Sequence, residues 1–241
     1  MRNYLLMILL LLPAASFGAE IPLLTSVNTE TGTELTTNYR VLLLMTVLGF
    51  LPALVVALSP FTRIYIVLSL LRLALGTQQT PGNRVLVGVA LLMSGFIMQP
   101  VLKDMNENAL QPYIQGQITD QEALDGIQAP LRKFLMDQTR KQDVDDFLAI
   151  TGTVVSDQDE IPFLHLAAAF IVSELQSAFQ IGLVLFVPFL IIDLVVASTL
   201  MSMGMMMVSP MIFSIPFKIA LFTLVSGWSL LVQGLSQSYY F

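Results

Sequence analysis

The chain has 241 residues, of which 55% are hydrophobic and only 12% are charged, and its formal net charge is −6. Soluble domains are about 45–50% apolar and about 25% charged, so this composition is typical of a membrane protein. The absence of cysteine excludes disulfides and thiolate sites, and a single histidine, His165, offers no zinc-ligand cluster. No Walker A loop, dinucleotide fingerprint or serine-hydrolase elbow occurs. We therefore expect no enzyme activity, no metal, no cofactor and no nucleic-acid partner.

Residues 1–19 have the layout of a cleavable signal peptide. Arg2 precedes a run of nine apolar residues, and Pro13 and small residues follow it. Nine apolar residues are too few to span a bilayer, although an uncleaved anchor is an alternative. Residues 20–40 are rich in Thr, Glu and Asn, and we expect them to form a flexible periplasmic segment.

Residues 41–102 predict a first helical hairpin. Val41–Leu58 is an uncharged run of eighteen residues, and as a helix of roughly 27 Å it can cross the hydrocarbon of a bilayer. Ile64–Leu75 is shorter and carries Arg72, so we expect it to pack on protein or to lie at the membrane interface rather than face lipid. Thr80–Asn83 fits a type II turn, in which Pro presets φ and Gly supplies a positive φ, and a second long apolar helix follows.

Three arginines mark the expected tip of this hairpin: Arg63, Arg72 and Arg84. Because cytoplasmic loops of membrane proteins carry an excess of Lys and Arg, this basic tip is predicted to face the cytoplasm. The insertion at residues 103–160 has twelve Asp or Glu against five Lys or Arg. It follows the second arm of the hairpin and is therefore predicted to be periplasmic, in agreement with the signal peptide.

Apolar residues recur at helical spacing within this insertion, which predicts short amphipathic helices. Thr119-Asp120-Gln121-Glu122 matches a capping box, in which two side chains bond the free backbone groups at the start of a helix. Pro130 is expected in the first turn of one of these helices.

Residues 161–241 are apolar almost throughout and predict a second helical hairpin. Its first arm extends to Val208, a loop punctuated by Pro210 and Pro216 follows, and Phe217–Val232 is the last expected helix. The predicted architecture is an all-α membrane protein with two long helical hairpins and a small helical periplasmic insertion between them.

Three ionisable residues lie in the apolar helices of the second hairpin: Glu174, Asp193 and Lys218. Charges within membrane helices are costly and often mark functional positions. Three interpretations are open, namely pairs that join subunits, pairs buried within one chain, and carboxylates that relay protons. Ser214 stands four residues before Lys218 as in a Ser/Lys peptidase dyad, but Pro216 between them argues against a regular helical face.

Six of the thirteen methionines lie within residues 201–211. Methionine is unbranched and polarizable, so it packs against changing partners without a fixed geometry. Gly204 within the run and Pro210 after it argue against a rigid core helix. Core filling and a functional surface are both compatible with this composition.

Two stretches resemble the signatures of the FliP/SctR family of type III secretion export-gate proteins. The first extends from Leu58 to Pro81 and includes LSPFTR and LGTQQTP. The second extends from Asp193 to Lys218 and includes DLVVAS and SIPFK. The similarity continues, in order and at matching spacing, from about residue 41 to the end of the chain.

This resemblance implies a pore-forming core subunit of the flagellar protein-export gate, located in the bacterial inner membrane and basal body and partly on the periplasmic side. It implies a helical homo-oligomer of five copies that joins FliQ and FliR, works with FlhA and FlhB, contacts membrane lipid and passes unfolded flagellar proteins. The matching residues here for the family's pore gasket are Met205, Met206 and Met207. A virulence export-gate homologue and a small-solute membrane transporter are the alternatives.

Overall fold

The residues that the computed structural model describes are 34–77, 79–153, 155, 160–205 and 207–239. Within them every regular secondary-structure element is a helix. The chain divides into two units at a boundary between residues 48 and 49. The predicted signal peptide at 1–19 lies outside the described residues, as does the part of the predicted flexible segment before residue 34.

Helix α1 comprises Glu34–Ala57 and contains Pro52. The sequence predicts a flexible segment through residue 40, but residues 34–40 are helical, so this part of the prediction is wrong. Once a helix exists, each further residue adds a backbone hydrogen bond without a new nucleation cost. The apolar run can therefore extend its helix backwards into polar residues.

Helix α2 comprises Phe61–Ala74 and has one almost completely buried face. The residues on this face that are at most 1% exposed are Ile64, Val67, Leu68, Leu71 and Ala74. Their spacing of three and four residues places them on one side of the helix. The prediction that this short, arginine-bearing stretch packs on protein is confirmed.

The connection from α2 to the next helix is not the predicted type II turn. Gly82 has φ −63° and ψ 154°, whereas the third residue of a type II turn requires a φ of about +80°. The Thr80–Pro81 peptide bond is cis. Gly82 is the extended residue that immediately precedes helix α3, Asn83–Ile97.

The polar insertion is helical, as predicted, and its elements are short. They are α4 (Gln99–Met105), a π-helical turn (Asn106–Leu110), α5 (Gln111–Ile114), α6 (Asp120–Gln138) and α7 (Lys141–Thr151). The predicted capping box begins α6: the Thr119 hydroxyl accepts the Glu122 N–H at 3.4 Å, and a Glu122 carboxylate oxygen accepts the Thr119 N–H at 2.8 Å. Pro130 lies inside α6 rather than in its first turn.

Helix α8, Phe163–Ser202, has 40 residues, and at 1.5 Å per residue it is about 60 Å long. Among the described residues it is the one helix that is long and apolar enough to cross a membrane by itself. It is about twice as long as the hydrocarbon of a bilayer is thick. Much of α8 therefore extends beyond the hydrocarbon unless the helix is steeply tilted.

The predicted proline loop after α8 is largely helical instead. Helix α9 comprises Pro210–Leu224 and contains Pro216, and helix α10 comprises Gly227–Gln237. The chain bends by 64° between α9 and α10, so the single predicted last helix is wrong as well. In apolar surroundings backbone groups have no water to bond, which favours keeping the helix across a proline.

The capping box of α6 has a testable pH dependence. The backbone N–H and hydroxyl of Thr119 hold the pKa of Glu122 below its usual range. A lowered folded-state pKa stabilises the fold above the unfolded pKa, and this stabilisation is lost as the pH falls through the folded pKa.

We expect Glu122→Gln to reduce hydrogen-exchange protection of the first amides of α6 at about pH 7 and to leave it unchanged once the pH is below the folded-state pKa of Glu122, where the wild-type carboxylate is protonated. Thr119→Ala should reduce this protection at both pH values. Asp125→Asn, at an exposed carboxylate of the same helix, is the matched control. Equal pH dependence in wild type and Glu122→Gln would contradict the assignment.

Candidate functional site

Helices α2 and α8 form the most extensive helix contact in the second unit. Arg63 meets Glu174, and Leu70 lies against Gly182. Because both contacts advance in the same direction along the two helices, α2 and α8 run parallel. A Cβ atom at position 182 would lie 2.2 Å from Leu70 Cδ1, so glycine permits this close approach.

A buried ion pair joins the two helices near the start of α2. Arg63 Nε donates to Glu174 Oε2 at 3.1 Å, and Arg63 Nη2 donates to Oε1 of the same carboxylate. Arg63 is 5% exposed and Glu174 is not exposed at all. This two-bond arrangement matches the planar guanidinium to the planar carboxylate and is among the strongest protein hydrogen-bond geometries.

The C-terminal segment completes this first cluster. The Tyr239 hydroxyl donates to Glu174 Oε2 at 2.7 Å. Arg63 Nη1 donates to the carbonyl and hydroxyl oxygens of Ser238, both at 3.2 Å. The Arg63 guanidinium also lies 4.0 Å from the centroid of the Tyr239 ring, which adds a cation–π attraction.

Arg63 therefore does not lie at the predicted basic tip. It is buried near the start of α2, nine residues and about 14 Å before Arg72, and Arg72 is in the last turn. Arg72 Nη1 donates to the Pro81 carbonyl at 3.2 Å and to Asn83 Oδ1 at 2.6 Å, and Arg84 is exposed. The spacing of the arginines in the sequence does not reveal that Arg63 pairs with Glu174, which lies 111 residues later in the chain.

A second cluster contains Asp193 of α8 and two residues of α9. Lys218 Nζ donates to Asp193 Oδ2 at 2.7 Å, and Ser214 Oγ donates to Asp193 Oδ1 at 2.5 Å. Lys218 Nζ also donates to the carbonyl of Ala74, the last residue of α2, at 3.0 Å. Pro216 does not separate Ser214 from Lys218, because α9 continues through it and presents both to one carboxylate.

Each predicted intramembrane charge thus has a partner of opposite sign in its own chain. Asp193 and Lys218 come together, whereas Glu174 belongs to the other cluster with Arg63. Glu174 is completely buried inside the chain, while the Asp193 side chain is 34% exposed. Of the three interpretations open from sequence, this geometry favours pairs buried within one chain and leaves only Asp193 partly accessible to a neighbour.

The methionine loop, residues 203–209, connects α8 to α9. Gly204 has φ +78°, and its N–H donates to the Met201 carbonyl at 3.0 Å. The Met205 N–H donates to the Leu200 carbonyl, also at 3.0 Å. These two bonds form a Schellman motif, which ends a helix with a glycine in the left-handed region. Pro210 then begins α9, where its fixed φ and missing N–H are tolerated.

The described methionine side chains of this loop are exposed to different degrees. Met207 is fully exposed, Met203 is 73% exposed, and Met205 is 38% exposed. Met206 lies outside the described residues. Exposed apolar side chains of this kind are covered by lipid, by another molecule or by another copy of the chain.

Sequence reasoning missed Ser238 and Tyr239 in the first cluster, and it did not connect Ser214 with Asp193. Tyrosine is suited to such a place because its ring packs against apolar groups while its hydroxyl finds a partner. No periodicity or motif marks the last residues of the chain. Among the described residues there is no group of three or more potential metal ligands.

The chain is similar to proteins of one family throughout its apolar part. A model of the FliP family matches residues 44–235. The "Flagellar biosynthetic protein FliP" of Pectobacterium carotovorum subsp. carotovorum is 45% identical over 99% of this chain and 93% of its own length. The protein of the same name in Cereibacter sphaeroides is 50% identical over 87% of this chain and 70% of its own length. That of Bacillus subtilis is 44% identical over 86% and 94%, respectively.

The first cluster generates a stability prediction. Removing one partner of a buried ion pair leaves an uncompensated charge and costs about 3–5 kcal/mol. We expect Arg63→Met and Glu174→Leu each to lower the thermal unfolding temperature of the detergent-solubilised protein strongly. The double variant, which buries no charge, should be less destabilised than either single variant.

The exposed pair Lys103–Glu107 is the matched control, since it is separated by 3.8 Å and is largely exposed. Exposed pairs contribute about 0–1 kcal/mol, so Glu107→Gln should change unfolding very little. The assignment would be wrong if the effects of Arg63→Met and Glu174→Leu simply added in the double variant.

Proposed function

This chain belongs to the FliP family, and on that premise we propose that it is a core, pore-forming subunit of the flagellar type III protein-export gate. In this function it passes unfolded rod, hook and filament proteins across the inner membrane. The role is mechanical: the chain provides a path and a seal and transforms no substrate.

The methionine loop carries this proposal. A pore wide enough for an unfolded chain would leak protons and ions when empty, so it needs an apolar closure that yields to many side-chain shapes. Apolar constrictions exclude ions by dewetting, and the flexible, unbranched methionine side chain adapts to different contacts. Met205, Met206 and Met207, repeated around a ring of copies, would form such a gasket. The exposure of Met205 and Met207 on a loop between two helix ends supports this role.

We propose an inner-membrane location with two helical hairpins, residues 41–102 and 161–241. The periplasmic insertion at 103–160 lies between them in the sequence. The length of α8 supports an assembly that lies partly on the periplasmic side, since about 60 Å of helix exceeds a hydrocarbon thickness of about 30 Å. The buried contacts of α2 support this arrangement too, because that short helix needs no lipid-facing surface.

We further propose that the working unit is a helical homo-oligomer of five copies together with FliQ and FliR, next to FlhA and FlhB in the basal body. Large apolar side chains are exposed along the described helices of this single chain, including Leu92, Phe96 and Leu224 at 76–82%. Neighbouring subunits and membrane lipid would cover this apolar surface, which single membrane helices cannot bury alone.

Two alternatives are less well supported. A virulence export-gate homologue would share this fold, but the three relatives described above are all named flagellar biosynthetic proteins. A small-solute transporter would need polar groups that converge on an open site near the membrane midplane. Glu174 and Asp193 are instead both neutralised by cations of their own chain.

The seal is tested by replacing Met205, Met206 and Met207 together with Ala. The smaller side chains should widen the constriction, so cells that overproduce the complete gate should leak ions and grow poorly. Triple Leu variants should leak less than triple Ala variants and export more slowly, since branched side chains adapt less readily.

Potassium efflux and hook-protein secretion are the measurements, in a strain that carries this chain as its only copy. A paired control, Met201→Ala with Met211→Ala, removes exposed methionines from the flanking helices instead of the loop. The gasket assignment fails if efflux and secretion are both unchanged in the triple Ala variant.

Orientation is tested with single cysteines, which are easily read in a chain that has none. The excess of arginine predicts that Arg84→Cys faces the cytoplasm, and the acidic insertion predicts that Asp125→Cys faces the periplasm. A membrane-impermeant thiol reagent added to cells with a permeable outer membrane should label position 125 and spare position 84. The reverse pattern would overturn the proposed topology.

A further inference from the structure

The two helices that flank the methionine loop are joined to each other close to the loop. Asp193 on α8 accepts hydrogen bonds from both Ser214 and Lys218 on α9. Ser214 is four residues, about one helical turn, from the start of α9 at Pro210. Asp193 is nine residues, or about 14 Å of helix, from the end of α8 at Ser202.

The same lysine ties this junction to a third helix. Lys218 Nζ donates to the carbonyl of Ala74 at 3.0 Å, and the last carbonyls of a helix have no partner within that helix. The chain of α9 also approaches the turn after α2, where a Cβ atom at Gly76 would lie 3.1 Å from Ile215. One ammonium group therefore links α2, α8 and α9.

The α9 side chains of this junction are buried, whereas its α8 side chain is partly exposed. Ser214 is completely buried, Lys218 is 3% exposed, and the Asp193 side chain is about one-third exposed. Charge-assisted hydrogen bonds gain strength in apolar surroundings. Helix α8 and the start of α9 are consequently held together at Asp193, although the fully exposed Met207 side chain in the loop between them is not packed against the chain.

We propose that Asp193, Ser214 and Lys218 are positioning residues for the methionine loop. By holding α8 and the first turns of α9 against the end of α2, they set how far the loop between these helices projects and keep its position the same in every copy of the chain. The proposal deepens the proposed function and rests on it, because the loop closes the pore there. The first cluster, Arg63–Glu174, is a more completely buried ion pair that joins α2 to α8 and does not include α9, so it provides a comparison for a purely structural role.

The test measures the position of the loop directly. Spin labels at Met207→Cys and Leu73→Cys, both exposed positions, report the distance between the loop and the end of α2. Labelled chains are diluted with unlabelled copies in the complete purified gate. Loss of a contact that holds the loop ends should widen the distance distribution by a factor of about two in Asp193→Asn and Lys218→Met.

Glu174→Gln should lower the amount of gate recovered but leave this distribution as narrow as in the unaltered protein. Asp193→Glu, which keeps the charge, should restore most of the narrow distribution. The proposal is overturned if Asp193→Asn leaves the width unchanged, or if Glu174→Gln widens it equally. Ser214→Ala decides the matter where Lys218→Met yields no complex, because it removes a single hydroxyl and must still widen the distribution.

Ion leak per assembled complex separates this inference from the sealing function. Taken together, the two proposals predict a severalfold rise in leak for Asp193→Asn. A wider distribution with unchanged leak would support positioning and remove the sealing function. An unchanged distribution, with high leak in the triple Ala variant of the loop, would remove positioning and leave the seal intact.

Discussion

A charge buried in apolar surroundings costs several kcal/mol unless a partner of opposite sign meets it with good geometry. In this protein that constraint acts at both ends of α2. Arg63 near its start is neutralised by Glu174, and the carbonyl of Ala74 at its end is bonded by Lys218, which also neutralises Asp193. Between these points α2 presents an apolar face that is almost completely buried. Two sets of polar contacts thus fix where a short helix lies and which helices surround it.

The two clusters do different work because their surroundings differ. The first is closed: Tyr239 and the backbone of Ser238 complete the coordination of Arg63, and no part of Glu174 is exposed. The second is partly open at Asp193 and lies at the base of the methionine loop. A closed cluster suits the integrity of a subunit, whereas a cluster that joins both flanks of an exposed apolar loop suits control of the position of that loop.

Sequence reasoning succeeded where a local rule decides the outcome. Apolar runs predicted membrane helices, the short length of Ile64–Leu75 and its arginine predicted that α2 packs on protein, and Thr119 with Glu122 predicted the start of α6. It failed where two local preferences competed. Pro216 was expected to interrupt the chain, but the need to pair every backbone group in apolar surroundings outweighs the one bond that proline removes. Gly82 was expected at positive φ, but it begins α3 in an extended conformation.

The amino-acid sequence alone specified a helical membrane protein, because composition and the length of apolar runs are properties of the chain and not of its partners. It also specified that Glu174, Asp193 and Lys218 are unusual, since charge in an apolar helix is visible without coordinates. Only the tertiary structure decided which charges pair. Arg63 and Glu174 are 111 residues apart, and their attraction depends on the close parallel contact of α2 with α8. That contact is set by packing across the whole core, which no local pattern encodes.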